Sequence, residues 1–319
     1  MIAYAGKRLL ALIPILAVVG VTVFLVIHIT PGDPAAIMLG PDATPDQVAA
    51  LRQTMGLNEP LWAQFLDWAG RVVRGDLGYS VFLHQDVSAA IGSHLGPTLA
   101  LAIFAEVLAV AVAVPAGITA ARHRGTAVDQ SFMGFALLGV SVPSFLLGLF
   151  LVLVFAVLLG WLPSGGYRDP ADGLGAFLRF LVLPAVALAA MQAALIARMS
   201  RSSMLDVLGS NYIKTAKAKG VSEFLTVYKH AVKNAALPIM TVVGQSFGAL
   251  MTGAVVIETV FNIPGMGQLV INSIQRRDFV VIQGVVLTIA VIYVLINLVV
   301  DLLYGVLDPR IRAERSGVT

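Results

Sequence analysis

The sequence predicts an all-α, polytopic membrane protein with six transmembrane helices and an extracytoplasmic helical insertion between the first and second. Hydrophobic residues make up 58% of the 319 residues and charged residues only 12%, whereas soluble proteins carry about 25% charged residues. The apolar residues also fall into six long stretches, each near the length of about 20 residues that crosses a bilayer core as a helix. A soluble fold of this composition would expose large apolar patches.

The six predicted spans differ in length and in proline content. They are Leu9–Ile29, Leu99–Ala121, Phe132–Leu159, Phe180–Ala197, Leu237–Ile257 and Gly284–Tyr304. The third is long enough to tilt. Pro14, Pro115 and Pro143 lie inside spans, where neighbouring helices can satisfy the carbonyl groups that a proline frees. We expect the first span to be retained, because its apolar run exceeds the about 7–15 residues of a signal peptide.

The distribution of positive charge predicts the orientation. With a cytoplasmic N-terminus, fourteen of the 21 Lys and Arg residues fall in inside segments and seven in outside segments. Cytoplasmic loops carry an excess of Lys and Arg, so both termini are predicted to be cytoplasmic. The net charge of +3 is too small to indicate nucleic-acid binding.

This pattern divides the chain into four parts. They are an N-terminal tail with the first span (1–30), an extracytoplasmic helical cap (31–97), a five-helix core with a cytoplasmic loop at 198–236 (98–309), and a cytoplasmic tail (310–319).

Two helices are predicted in the cap. Thr44 with Gln47 matches a capping box that starts a helix, in which Val48, Leu51 and Met55 share a face. A second stripe consists of Leu61, Phe65, Trp68 and Val72. Two interpretations stay open: a small cap packed on the membrane surface, or amphipathic helices that rest on lipid headgroups.

The cytoplasmic loop contains the most informative segment, Asn211–Glu223, a basic helix-forming stretch between two apolar spans. Helical spacing runs from Met204 to Gly220, which suits a left-handed C-cap. A second helix is predicted from Ser222 to Asn234, with lysines near its C-terminal end, where the helix dipole favours them. The simplest alternative is a solvated basic loop that obeys the positive-inside rule.

Short motifs recur along nearly the whole chain. In order they are Arg8-Leu-Leu, Thr30-Pro-Gly-Asp-Pro34, Gly75-Asp-Leu-Gly-Tyr-Ser80, Arg201-Ser-Ser-Met-Leu-Asp-Val-Leu208, Tyr212-Ile-Lys-Thr-Ala-Lys-Ala-Lys-Gly220, His230-Ala-Val-Lys-Asn-Ala-Ala-Leu-Pro238, Phe261-Asn-Ile-Pro-Gly-Met-Gly267, Arg277-Asp278 and Leu307-Asp-Pro-Arg-Ile-Arg312. Together they resemble the inner-membrane permeases of binding-protein-dependent ABC importers, in the dipeptide, oligopeptide and nickel branch.

The resemblance implies a coupling helix that sits in a groove of an ATPase subunit. The family pattern Glu-Ala-Ala-x-x-x-Gly falls on Lys214, Thr215, Ala216 and Gly220, so the Glu and first Ala are replaced, as suits the peptide branch. The residues expected to couple to the ATPase are Tyr212, Lys214, Thr215, Ala216, Lys217, Ala218, Lys219 and Gly220.

The resemblance also implies partners in the bacterial inner membrane. They are a second homologous permease, most simply in a heterodimer, two ATPase subunits that bind ATP and Mg, and an extracytoplasmic binding protein. The chain itself has no phosphate-binding loop of the Gly-x-x-x-x-Gly-Lys-Ser/Thr type, so no enzymatic activity and no cofactor are predicted for it.

Polar residues inside the spans are candidates for a translocation path, because burial in lipid makes them costly. They are Glu106, Ser141, Gln192, Gln245, Ser246 and Asn297. Glu106 either faces the path or pairs with a buried polar group. Ser141 and Ser144 alternatively satisfy backbone groups near Pro143, and Asp301 alternatively pairs with Arg310 or Arg312.

Several alternatives stay open. Gly244 and Gly248 allow close helix packing, either with a second permease or within this chain. His28, His84 and His94 lack ligand-type spacing, so no metal site is predicted.

Dipeptides or oligopeptides are the leading cargo, with glutathione and nickel as alternatives. An ion-coupled secondary transporter is a more remote alternative, for which Glu106 with Asp301 is the only candidate ion site, and an intramembrane enzyme is the most remote.

Overall fold

The computed structural model describes residues 2–29, 32–40, 42–54 and 56–307, and these are almost entirely helical. The α-helices are α1 (Ile2–Ile29), α2 (Pro34–Leu39), α3 (Pro45–Thr54), α4 (Leu61–Val73), α5 (Val87–Arg122), α6 (Ala127–Ser141), α7 (Ser144–Leu151), α8 (Leu174–Leu208), α9 (Asn211–Ala218), α10 (Glu223–Leu225), α11 (Val232–Phe261), α12 (Met266–Arg276) and α13 (Phe279–Leu307).

Short irregular elements complete the description. A π-helical segment, Val152–Leu158, follows α7, and another, Thr226–Ala231, joins α10 to α11. A 3₁₀-helix covers Pro170–Asp172. The strands β1 (Tyr79–Ser80) and β2 (Gln85–Asp86) form an antiparallel ladder, with Tyr79 opposite Asp86. The predicted tail at 310–319 lies outside the described residues, as do Thr30 and Met55.

Five helical stretches among the described residues are long and apolar enough to cross a membrane. They are Ala11–Ile29, Val87–Arg122, Leu174–Leu208, Glu223–Phe261 and Phe279–Val300. These stretches overlap five of the six predicted spans and confirm the polytopic all-α class. The second, third and fourth of these stretches extend well beyond the predicted apolar cores, because helix formation continues through the flanking polar residues.

The third predicted span, Phe132–Leu159, is not one tilted helix. It consists of α6 and α7 with its π-helical extension, and the two arms meet at an angle of 102°. Pro143 explains the break, since proline removes a backbone donor and forces the preceding residue out of the helical region. Val142 accordingly has extended dihedrals of φ −96° and ψ 121°. The bent pair counts as a sixth span if both arms are taken together.

Within the described residues, 2–96 with 265–295 form one compact unit, and 97–264 with 296–307 form a second. In the first unit, a buried apolar cluster joins the start of α5 to α12 and α13 through Val87, Ile91, Leu269 and Val285. The Ser80 hydroxyl in this unit donates to Asp278 Oδ2 at 2.5 Å, and both residues are buried. Two of the sequence motifs therefore meet in space.

The two predicted cap helices are present in the first unit. The backbone N–H of Thr44 donates to Gln47 Oε1 at 2.9 Å, and the N–H of Gln47 donates to Thr44 Oγ1 at 3.3 Å, so the predicted capping box is confirmed. The stripe on α4 packs on α1, where the Phe24 ring lies 5.4 Å from that of Phe65 and 5.7 Å from that of Trp68.

The second unit is built around α8, whose buried residues pack with α5, α7 and α11 in one apolar cluster. Glycine allows the closest contact between α5 and α8: a Cβ at Gly117 would lie 2.5 Å from Ser200 Cβ and 2.6 Å from the Ala197 carbonyl oxygen. Close helix approach through small residues is typical of membrane bundles. Gly244 likewise faces Val300 of this same chain, because a Cβ there would lie 2.6 Å from Val300 Cγ1.

Candidate functional site

The basic segment folds as a short helix, α9, held between two long helices. Ile213 is fully buried and anchors α9 to a cluster that includes Met204, Val227 and Ala235. The side chains of Lys214, Lys217 and Lys219 are exposed. One apolar residue therefore holds the helix in place, while the basic side chains point away from the packed side.

The end of α9 is a complete Schellman motif. Gly220 adopts φ +80°; its N–H donates to the Lys217 carbonyl at 2.9 Å, and the Val221 N–H donates to the Ala216 carbonyl at 3.2 Å. These two bonds define the motif and require a left-handed residue, for which glycine is best suited. The predicted glycine C-cap is confirmed.

Two details of the predicted loop are wrong. The helical stretch from Met204 to Gly220 is interrupted, because α8 ends at Leu208 and α9 begins at Asn211. The helix that starts after Ser222 does not end at Asn234, but continues through a π-helical turn into α11. The lysines at 229 and 233 therefore lie inside a long helix, and the expected interaction with a helix end is absent there.

Polar contacts fasten α9 to the start of the next long helix. Asn234 Nδ2 donates to Tyr212 Oη at 2.7 Å and to the His230 carbonyl at 2.9 Å. Arg122, at the end of α5, forms an ion pair with Glu223 at 3.1 Å. These contacts tie α9 to α11, and they tie the helix start after Gly220 to α5.

An exposed aromatic pair extends this surface and was missed from the sequence. Phe224 is 67% exposed and Tyr228 45% exposed, and their ring centroids lie 4.7 Å apart. Their spacing of four residues on a helix is the signal that could have revealed them. We call α9, Gly220 and this aromatic pair the basic protrusion.

A bidentate ion pair between α6 and α8, the helix that precedes α9 in the chain, was also missed. Arg201 Nε lies 2.6 Å from Asp129 Oδ1, and Arg201 Nη2 lies 2.7 Å from Asp129 Oδ2. The N–H of Gly125 also donates to Asp129 Oδ2, at 3.0 Å. The Asp129 side chain is only 5% exposed. The pair joins the start of α6 to the last part of α8.

The predicted path residues do not converge on one point. Glu106 and Ser246, from α5 and α11, are buried and in contact. Gln192 is buried in α8, Asn297 is partly exposed and Gln245 is exposed. Ser141 is exposed, and its hydroxyl donates to the Leu137 carbonyl of its own helix at 2.8 Å. The Asp301 side chain lies outside what the structure describes, as do Arg310 and Arg312.

The contact between Glu106 and Ser246 places one hydroxyl among three acceptor oxygens. Ser246 Oγ lies 2.7 Å from Glu106 Oε1, 2.8 Å from Glu106 Oε2 and 2.7 Å from the Val243 carbonyl oxygen. A serine hydroxyl has a single hydrogen to donate. A protonated Glu106 that donates to Ser246, which in turn donates to the Val243 carbonyl, provides a hydrogen for two of these three contacts, whereas an ionised Glu106 leaves one hydrogen for all three. Glu106 was expected either to face the translocation path or to pair with a buried polar group. Its contact with the buried Ser246 agrees with the second interpretation.

The predicted histidines are dispersed, and no group of three potential metal-binding side chains occurs in the described part of the chain. His28 bonds to Gln64 Oε1 at 3.0 Å, and His94 Nδ1 bonds within its own helix to the Ala90 carbonyl at 2.7 Å. A buried polar pair that was missed joins Thr98 to Glu258 at 2.5 Å.

Comparison with known proteins agrees with these features. A family model described as the inner membrane component of binding-protein-dependent transport systems matches residues 113–313, and a model of the N-terminal part of such components matches residues 1–102. A probable peptide ABC transporter permease protein of Sinorhizobium fredii is 45% identical over 97% of this chain and 99% of its own length.

Two further relatives are similar to this chain over nearly their whole length. The dipeptide transport system permease protein of Alkalihalophilus pseudofirmus is 43% identical over 98% of this chain and 100% of its own length. The glutathione transport system permease protein of Escherichia coli K12 is 44% identical over 98% of this chain and 99% of its own length.

A chain of the inward-facing MetNI methionine ABC transporter has a similar fold, with a TM-score of 0.58 at 17% identity, over 69% of this chain and 96% of its own length. The helical architecture, the sequence relatives and the family models agree along nearly the whole chain. The chain therefore belongs to the inner membrane components of binding-protein-dependent transport systems, and it is a multi-pass membrane permease of the ABC transporter type.

Proposed function

We propose that this permease imports dipeptides or oligopeptides as one half of a translocation path, with energy from two separate ATPase subunits. A binding protein delivers the cargo at the outer face, and a second, homologous permease supplies the other half of the path. The observation that carries the proposal is the basic protrusion, in which Ile213 is the buried anchor and Gly220 is the left-handed stop.

Physical reasons support α9 as the coupling element. Small residues such as Ala216 and Ala218 allow a groove of a partner subunit to approach closely, and the exposed lysines can pair with acidic groups there. Phe224 and Tyr228 add apolar area, and buried aromatic residues contribute strongly to protein interfaces. The Tyr212–Asn234 bond and the Arg122–Glu223 ion pair then transmit movement of α9 to α11 and α5.

The proposal fixes an orientation. Residues 198–236 lie on the cytoplasmic side, where ATPase subunits are found, and residues 31–97 form a cap on the outer side. Both termini are then cytoplasmic, in keeping with the excess of Lys and Arg in the same segments.

Glutathione is the second candidate cargo, since one relative of nearly equal identity is named a glutathione transport system permease protein. Glutathione is itself a modified tripeptide, so the two candidates share chemistry. Uptake of a labelled dipeptide, measured with the complete transporter in vesicles and competed with excess glutathione, separates the two. A peptide importer keeps its dipeptide uptake under this competition.

Purification of the tagged chain from its native membrane tests the assembly. We expect two ATPase subunits and a second permease to be recovered with it, and ATP to drive uptake of the cargo. A lone chain that transports in a proton or sodium gradient without ATP would contradict the proposal and favour the ion-coupled alternative.

We also propose that six polar residues face the translocation path at some stage of transport: Glu106, Ser141, Gln192, Gln245, Ser246 and Asn297. In the described conformation Glu106 is held by Ser246, so a path role requires α5 and α11 to separate. This separation is the kind of movement that a force on α9 and on Glu223 would produce.

Substitutions of Glu106 test whether it acts as a neutral hydrogen-bond donor. We expect Glu106→Gln to keep uptake and stability close to those of the unchanged protein, because the glutamine amide also donates to Ser246 Oγ. Glu106→Ala removes the bond and leaves a cavity, which should lower the free energy of unfolding by about 2 kcal/mol. Thermal unfolding in detergent and vesicle uptake measure both effects.

The matched control is Thr119→Ala, since the Thr119 hydroxyl bonds only within α5, to the Pro115 carbonyl at 2.7 Å. This change should leave both measurements nearly unaltered. Equal loss in Glu106→Gln and Glu106→Ala would show that transport needs an ionised carboxylate.

A further inference from the structure

The first unit contains a cavity of about 370 Å³ between the end of α1, the helix α4 and the start of α13. Its volume lies at the lower end of the range of about 300–1,000 Å³ that is typical of small-molecule sites. It is distinct from the basic protrusion and from the Glu106–Ser246 contact, because none of those residues lines it. No step of the proposed transport cycle uses it.

Acidic side chains dominate the polar part of the lining. Glu59, Asp67 and Asp76 line the cavity, together with Arg71 and the imidazole of His28. Arg71 Nε pairs with Asp67 Oδ2 at 3.1 Å. Asp76 Oδ1 accepts the N–H of Gly78 at 2.9 Å, and neither Asp76 nor Glu59 has a cationic partner within the described part of the chain. Two carboxylates therefore remain to balance a positive charge.

A buried amide provides an independent indication of a ligand. Gln283 lines the cavity and is only 7% exposed. Its Nε2 donates to the Val23 carbonyl at 3.1 Å and lies 3.5 Å from that of Phe24. Because a carbonyl oxygen can only accept a hydrogen bond, the Gln283 atom that donates to it is Nε2. The other atom of the amide, Oε1, has no hydrogen-bond partner among the described residues. Because Gln283 lines the cavity, a ligand that donates to this oxygen would gain a hydrogen bond.

Two aromatic rings and several aliphatic side chains form the apolar part of the wall. The rings of Phe24 and Trp68 both line the cavity, with centroids 5.7 Å apart. Gln64 bonds to His28 at 3.0 Å and donates to the Glu59 carbonyl at 2.7 Å, which fixes its orientation. Acceptor oxygens beside aromatic faces are suited to an organic cation, since aromatic rings attract cations.

We propose that this cavity binds a primary ammonium group carried on an apolar body. The ammonium meets Glu59, Asp76 and the free oxygen of Gln283, and the apolar body packs on Phe24 and Trp68. Two sources have this chemistry: the N-terminus of a peptide cargo, and the headgroup of an ethanolamine lipid beside the outer end of α1. The peptide source depends on the proposed import function, whereas the ammonium site itself does not.

The probe is 2-phenylethylamine, a cation of this type, titrated calorimetrically into the full chain in phosphatidylcholine nanodiscs. We expect saturable binding, and no binding of N-acetyl-2-phenylethylamine, which lacks the charge. Glu59→Gln with Asp76→Asn should weaken binding by about tenfold or more, since each charged hydrogen bond contributes about 1.5–3 kcal/mol. Gln283→Met should weaken it less and Asp46→Asn not at all, because Asp46 does not line the cavity.

Two further titrations distinguish an ethanolamine lipid from a peptide cargo as the source of the ammonium group. If lipid occupies the cavity, replacing part of the phosphatidylcholine by phosphatidylethanolamine weakens the apparent affinity of the probe. If peptide occupies it, the lipid exchange has no effect and a dipeptide competes with the probe. Absence of binding in phosphatidylcholine, or equal binding in the Glu59/Asp76 variant, overturns the proposal. Peptide uptake by the complete transporter is measured in parallel. Failure of the proposed ammonium site is then distinguishable from failure of the proposed import function.

Discussion

Gly220→Pro should abolish ATP-driven uptake and the stimulation of ATP hydrolysis by the binding protein, while the chain still inserts and assembles in the membrane. Proline fixes φ near about −65° and removes the backbone donor, whereas Gly220 has φ +80° and donates to the Lys217 carbonyl. The Schellman motif at the end of α9 is then impossible, and the following helix start is redirected. ATPase and uptake assays on reconstituted transporter measure the effect.

Gly220→Asn is the matched control. A Cβ at this position would meet no atom within 4 Å, so only the backbone conformation limits substitution, and asparagine tolerates the left-handed region better than other residues with a side chain. We expect this variant to keep most of its coupled activity. Normal stimulation in the proline variant would contradict the assignment of α9 as the coupling element.

Asp129→Ala should cause a large loss of stability in the second unit. The substitution leaves Arg201, whose side chain is 27% exposed, without its bidentate partner, and removal of one partner from a buried ion pair costs about 3–5 kcal/mol. Because Arg201 reaches some solvent, we expect about 3 kcal/mol. Equilibrium unfolding of the purified chain in mixed micelles gives the value.

The double variant Asp129→Leu with Arg201→Met distinguishes a lost ion pair from a general packing defect. Apolar replacement of both partners leaves no uncompensated charge, and such replacements are often neutral. We expect the double variant to be more stable than Asp129→Ala. An ATPase assay on the same variants reports whether the Asp129–Arg201 pair also matters for coupling. Equal stability of the single and double variants would reject the ion-pair explanation.

The predictions that succeeded concern features encoded within one continuous segment of the chain. The capping box at Thr44 and Gln47 and the C-cap at Gly220 depend on residues at most five positions apart, so local sequence is enough to identify them. The spans were found for the same reason, because the length and hydropathy of a segment decide whether it can cross a bilayer.

The predictions that failed depend on tertiary packing. Pro115 and Pro184 lie inside continuous helices, whereas Pro143 marks a bend of 102°, and the sequence around each proline does not distinguish the two cases. Neighbouring helices decide whether the freed backbone groups are satisfied. Likewise, Asn234 resembles a helix end, yet packing of the buried residues around it continues the helix into α11.

The sequence alone determined the all-α membrane class, the positions of the spans, the basic helix with its glycine stop, and the resemblance to importer permeases. These properties follow from composition and from contacts between near neighbours. Only the tertiary structure decided which polar groups meet: Asp129 with Arg201 across 72 positions, Glu106 with Ser246 across 140, and Ser80 with Asp278 across 198. A buried polar group must find a partner wherever the fold brings one, and sequence spacing does not encode that partner.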